Sequence, residues 1–167
     1  MPFLLRTIRK AKWYKNENVP WLAEDELQAD ALADLSTKDN ELSVWHIEDD
    51  RSNLEQVVTA LAAGRDYIAN LDYALFDQQI LSAINIKIKD TKGGSPDEKV
   101  NSWHRDLVEL SATKLMELAK AIQTKAVKER VLPKDIVRLI KQAVESGRIN
   151  RAKLKPGVVG KIENKGT

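Results

Sequence analysis

The spacing of apolar residues changes from one stretch of this chain to the next, and the changes mark its elements. Residues 3–14 carry β-branched and aromatic types without helix caps and predict a first strand. Asn16, Asn18 and the Val19-Pro20 step close it, because the residue before proline is pushed towards extended backbone. Leu27, Ala31, Leu32 and Leu35 share one helical face within 23–35, and Glu24, Asp25 and Glu26 suit the positive end of that helix. A polar turn over 36–40 leads to a short apolar run at 42–48, which predicts a second strand. Ser52 and Glu55 have the spacing of a capping box ahead of the stripe Leu54, Val57, Val58, Leu61 and Ala62, with Gly64 as a left-handed stop.

The second half reads as mostly helical. Residues 72–76 predict a strand and 77–83 a helical turn, and Ile84, Ile86 and Ile88 alternate with polar residues as a strand with one wet face. Gly93-Gly94 breaks the chain, and Ser95, Pro96 and Glu98 then have the order of an N-cap, a first helical proline and a third-position glutamate. Val100, Trp103, Leu107, Leu110, Leu115, Leu118 and Ile122 follow at three- to five-residue steps, predicting one helix over 96–126. Such a helix would be about 45 Å long and would outrun a small core, which suggests a homodimer formed along it. Pro133 opens a last helix to about residue 146 on the core face Ile136, Val137, Leu139, Ile140, Ala143 and Val144, stopped by Gly147. A short strand at 158–162 and loose final residues complete the reading.

The expected class is therefore α+β or α/β: a small mixed sheet of about four strands packed by helices, with a long amphipathic helix and a basic C-terminal helix. Residues 1–92 form the α/β body, 93–147 a helical part packed on it or projecting from it, and 148–167 a basic tail.

Charge changes this picture more than composition does. The net charge of +2 on 167 residues is the residue of a strong segregation. Residues 1–20 hold five basic and one acidic residue, 21–77 three and fourteen, 78–124 seven and six, and 125–167 twelve and four. Either the basic ends fold back over the acidic middle, or they serve an external polyanion. The candidate interaction residues are Arg6, Arg9, Lys10, Lys12 and Lys15, with Trp13 and Tyr14 able to stack on bases, and Lys134, Arg138, Lys141, Arg148, Arg151, Lys153 and Lys155.

Catalytic chemistry is sparse. With no cysteine there are no thiolate ligands, disulfides or cysteine nucleophiles. Gly93-Gly94 lacks the lysine and hydroxyl of a phosphate loop, and nothing calls for a cofactor. His46 and His104 each follow a tryptophan and read as packing residues. Glu48, Asp49 and Asp50, with Asp72 and Asp77 converging, form the best carboxylate cluster for a divalent metal, although they also suit the start of the next helix. The chain has neither a secretory signal pattern nor a run of roughly 20 apolar residues, so the expected setting is cytoplasmic and away from membranes. The first functional expectation is a non-enzymatic accessory or adaptor protein working through protein contacts. The alternatives are nucleic-acid binding through the basic ends, and a metal-dependent enzyme at Glu48–Asp50.

Overall fold

The computed structural model describes residues 1–14, 19–23 and 26–163. Lys15, Asn16, Asn18, Glu24, Asp25 and the last four residues, to which expectations were attached, lie outside the described residues. Six strands form one sheet: β1 (Phe3–Ile8), β2 (Leu42–Ile47), β3 (Leu71–Asp77), β4 (Lys87–Asp90), β5 (His104–Val108) and β6 (Val127–Val131). Their order is β4-β5-β2-β1-β3-β6, and each neighbouring pair is antiparallel. The α+β class holds, but the sheet is six-stranded and antiparallel rather than mixed with about four strands. Strands β2 and β3 run parallel on either side of β1, joined by α1 (Leu54–Ala63), which makes a split crossover around the first strand.

Both faces of the sheet are covered, and in β3 every residue from Leu71 to Phe76 is buried. Leu5, Ile47, Leu71 and Leu75 face α1, α5 (Pro133–Glu145) and α6 (Pro156–Glu163). Leu4, Val44, Phe76 and Leu107 face α2 (Gln79–Ala83), α4 (Ala112–Lys125) and 3-10 turns at Lys10–Trp13 and Ala29–Leu35. The edge strand β4 exposes Lys87 and Lys89, a charge pattern that discourages pairing with another chain.

The long helix over 96–126 does not form. In its place stand α3 (Glu98–Asn101), strand β5 and α4. The apolar stripe is divided between the two cores: Val100 and Trp103 pack with α1, whereas Leu107, Leu110, Leu118 and Ile122 lie across the sheet. A single helix would put them all on one side. The switch is made by β5, where Trp45 pairs with His104 and Leu42 with Leu107, and by Glu109, whose φ of 56° turns the chain before Ser111 caps α4. Because Val100, Leu107, Leu118 and Ile122 are fully buried within this chain, the homodimer expected along 96–126 has no helix to form on.

Other boundaries shift for local reasons. The first strand stops at Ile8 and not at residue 14. The predicted helix over 23–35 is reduced to the 3-10 turn at Ala29–Leu35. The capping box at Ser52 and Glu55 is not made, because Asn53 precedes α1 and turns its side chain back, accepting from the Glu48 amide at 2.9 Å and donating to the His46 carbonyl at 3.1 Å. Asp97, rather than Ser95, caps α3. Gly64 ends α1 at a φ of −77°, not left-handed, while Gly147 does adopt the left-handed stop at 73°. The strand expected from 84 begins only at Lys87, and that expected at 158–162 belongs to α6. Residues 93–147, assigned to a helical part, supply β5 and β6 to the sheet of the body. Within the expected tail, Leu154, Val158 and Ile162 are core residues.

Candidate functional site

Much of the N-terminal basic cluster is engaged within the fold. Asp34, in the 3-10 turn at Ala29–Leu35, is buried and serves as its hub. Its Oδ2 accepts from the Arg9 amide at 2.7 Å and from Trp13 Nε1 at 2.9 Å, and its Oδ1 accepts from Arg9 Nε at 2.8 Å. Arg6 Nε donates to the Asp34 carbonyl at 2.9 Å and Arg6 Nη1 to that of Ser43 at 2.8 Å. Burial pushes the Arg6 guanidinium below its ordinary pKa, with the Asp34 charge acting in the opposite sense. Lys12 pairs with Asp30 at 2.8 Å. Trp13 is 2% exposed, so it stacks on nothing external. Arg6, Arg9, Lys12 and Trp13 are thus each engaged in contacts within the chain, with Trp13 buried and Arg9 still exposed. The missed signal was Asp34 itself, which stands on the stripe side of a segment read as a plain amphipathic helix.

Lys10 contributes its backbone. Its amide donates to Asp72 Oδ2 at 2.8 Å, and Arg130 from β6 grips the same carboxylate at 2.7 and 2.9 Å. Burial works against ionisation of Asp72, but the Arg130 hydrogen bonds, the Lys10 amide and the nearby positive charge outweigh it and hold the carboxyl below its ordinary value. A depressed folded pKa means stability that is present above the unfolded value of about 3.9 and is lost as pH falls through the folded value. The difference in urea midpoint between the wild type and Asp72→Asn is therefore expected to be constant near neutrality and to narrow below about pH 4. A gap independent of pH would show that the Asp72 charge contributes nothing.

The C-terminal cations divide into two groups. Arg148 Nε meets the buried carboxylate of Asp97 at 3.3 Å, Lys153 meets Glu98 at 2.6 Å, and Arg151 pairs with Glu163. Lys128 folds inward, donating to the carbonyls of Gln123 at 2.8 Å and Ala126 at 3.2 Å at the end of α4. Lys134, Arg138 and Lys141 behave differently. They follow one another along the outer face of α5, whose inner face buries Ile136, Leu139, Ile140 and Ala143. Among the described residues, none of the three forms an ion pair.

The other candidates of the sequence stand apart. Glu48, Asp49 and Asp50 border an open cavity of about 710 Å³ with Gln56, Lys99 and Trp103. The Lys99 ammonium lies over the Trp103 ring, 5.5 Å from its centroid. Asp72 is held by Arg130 and Lys10, and Asp77 accepts from the Gln79 amide at 2.8 Å, so the expected convergence on Glu48–Asp50 does not occur. Among the described residues no three His, Cys, Asp or Glu side chains are grouped to hold a metal ion. His46 lies 3.8 Å from Glu48. His104 belongs to β5, with Nδ1 at 2.7 Å from the Thr91 hydroxyl, Nε2 at 3.9 Å from Asp106 and its ring in a T-shaped contact with Trp45. Burial lowers the His104 pKa, Asp106 raises it and Arg105 lowers it further, with a net downward shift. Among the described residues no helix is long and apolar enough to cross a membrane. No protein-family model matches this chain, and neither a curated protein nor a solved structure matches it.

Proposed function

We propose that this chain is an accessory binding protein whose outward basic face engages a nucleic-acid backbone. The observation that carries the reading is the row Lys134, Arg138 and Lys141 on α5, exposed or half-exposed and unpaired among the described residues. Of the N-terminal cations, Arg9 and Lys12 pair with Asp34 and Asp30, and Arg6 donates to backbone carbonyls. Three successive cations at helical spacing present their charges along one line, which suits a phosphate chain better than a single small anion. The nucleic-acid reading thus moves from both ends of the chain to one helix.

The test is binding of single-stranded RNA and DNA at several salt concentrations. Each phosphate contact contributes about 0.7 to the slope of log affinity against log salt, so the Lys134→Glu, Arg138→Glu, Lys141→Glu variant should flatten the slope by about 2. Absence of binding by the wild type at low salt would sink the proposal.

A second reading keeps the protein-contact role, because Trp21 is 75% exposed beside the buried Leu22. An indole so placed is an anchor of the kind that protein interfaces bury. A partner that stays bound after nuclease treatment and is lost with Trp21→Ala belongs to this reading.

A further inference from the structure

We infer that the cavity between the Gly93-Gly94 loop and the lysines following α5 is a binding site for a phosphate monoester dianion. The cavity is about 450 Å³ and is walled by Lys92, Gly94, Ser95, Glu98, Lys153 and Lys155. Its loop is held from behind. Asn101, 3% exposed, accepts from the Ser95 amide at 2.7 Å and donates to the Ser95 carbonyl at 3.0 Å, while its own carbonyl receives the Gly93 amide at 2.9 Å. Gly93 is glycine because a Cβ there would come within 2.6 Å of the Trp45 indole. Gly94 has no such reason: its φ is not left-handed, and a Cβ would meet nothing within 4 Å. Packing and backbone conformation leave room for a Cβ at this residue, and as glycine it presents bare backbone on the cavity wall. Bare backbone lets an anion approach closely, as in other glycine-lined phosphate sites.

The charges around the cavity already hold an anion. Glu98 places one carboxylate oxygen 2.6 Å from Lys153 Nζ and the other 3.8 Å from Lys92 Nζ. The hydrogen bond and charge of Lys153, then the charge of Lys92, hold its carboxyl below the ordinary value. Glu98 is exposed and can swing aside, so it acts as an internal stand-in for the ligand. Lys155 completes the wall without an ion pair among the described residues. Three lysines and one glutamate leave a charge of +2, which matches a monoester dianion better than the single charge of a backbone diester. The lysines also face the C-terminal end of α1 at Gly64, where positive charge is favourable in its own right. That role accounts for the lysines but not for the bare loop.

The site stands apart from the α5 face, and its test is separate. Melting of the full chain is compared in inorganic phosphate, a nucleoside 5′-monophosphate, an end-blocked phosphodiester dinucleotide and sodium chloride of equal ionic strength. Phosphate and the monophosphate are expected to raise the melting temperature saturably and to shift the Gly94 amide resonance, with the diester much weaker. Glu98→Gln, which removes the internal competitor, should tighten binding by about tenfold, and Lys155→Glu should weaken it by about tenfold or more while keeping the wild-type circular dichroism. The Lys134→Glu, Arg138→Glu, Lys141→Glu variant should respond to phosphate as the wild type does. Melting temperatures equal to those in chloride for both the wild type and Glu98→Gln would overturn the inference. So would a phosphate shift that survives Lys155→Glu, or a response to the diester as strong as to the monoester.

Discussion

Asp34→Ala is expected to lower the unfolding free energy by about 3 kcal/mol, read from the urea midpoint at neutral pH, with an unchanged slope. The carboxylate accepts three hydrogen bonds, from Arg9 and Trp13, that tie the turn just after β1 to the segment at Ala29–Leu35. Its loss is graded by donor. The Arg9 side chain is 58% exposed and recovers water, so it contributes little to the cost. The Trp13 indole N–H is sealed in the core, and a buried donor left without an acceptor costs about 1–3 kcal/mol. The Arg9 amide and the emptied space add to that. Asp34→Asn retains an acceptor for one of the oxygens' partners and should fall between the two. Trp13→Phe removes the indole donor with the aromatic packing largely kept, so Asp34→Ala should cost less in that background. An Asp34→Ala loss of a few tenths of a kcal/mol would mean that the hub is water-accessible and the cluster is not holding the N-terminal strand.

The second large effect is expected at Asp97. This side chain is 1% exposed and has four partners. Oδ1 accepts from the amides of Lys99 at 3.1 Å and Val100 at 3.3 Å, capping α3, while Oδ2 faces Gln56 at 3.4 Å and Arg148 at 3.3 Å. Through it the start of α1, the short α3 and the chain beyond α5 are bound together. Asp97→Ala removes the cap of α3 and leaves the Lys99 and Val100 amides without their acceptor, while the exposed Arg148 recovers water, so the loss should be about 2–3 kcal/mol. Arg148→Met should cost less, since the carboxylate keeps its two amides and Gln56, and the methionine stem preserves packing. The double variant is expected to be more stable than the sum of the singles predicts by about 1–3 kcal/mol, because the charge pair is counted twice in that sum. Additive losses would show that Arg148 touches Asp97 without being coupled to it.

These two carboxylates show what a linear reading of charge misses. The segregation along the chain was plain in the sequence, and so was the question of whether the basic ends meet the acidic middle. At the N-terminal end Arg9 and Lys12 do, through Asp34 and Asp30. At the C-terminal end only Arg130 meets the acidic middle, at Asp72; Arg148 and Lys153 meet Asp97 and Glu98, Arg151 meets Glu163, and Lys134, Arg138 and Lys141 meet no carboxylate among the described residues. Adjacent lysines and arginines look alike in composition. What separates them is whether the fold brings a carboxylate within reach, and for the pairs named the partner lies 12 to 58 positions away. The cavity at Gly93-Gly94 was invisible for the same reason, since Lys153 and Lys155 reach it from a segment more than fifty residues later.

The sequence by itself determined those elements whose periodicity and punctuation agree. Strand β2, strand β3, helix α1 and helix α5 with its proline start and left-handed Gly147 stand where local pattern puts them. Tertiary structure decided the rest. Residues 100–122 satisfied a helical spacing, but the sheet had an open edge at β2, and pairing His104–Val108 there fills it while sending Leu107 to one core and Trp103 to the other. No local propensity records that competition, because the hydrogen bonds and buried area that win it belong to β2, more than fifty residues earlier. The polar side chains followed the same rule. Their types were legible in the sequence, and only the packing of two cores around one sheet fixed which of them fasten the fold and which remain at its surface.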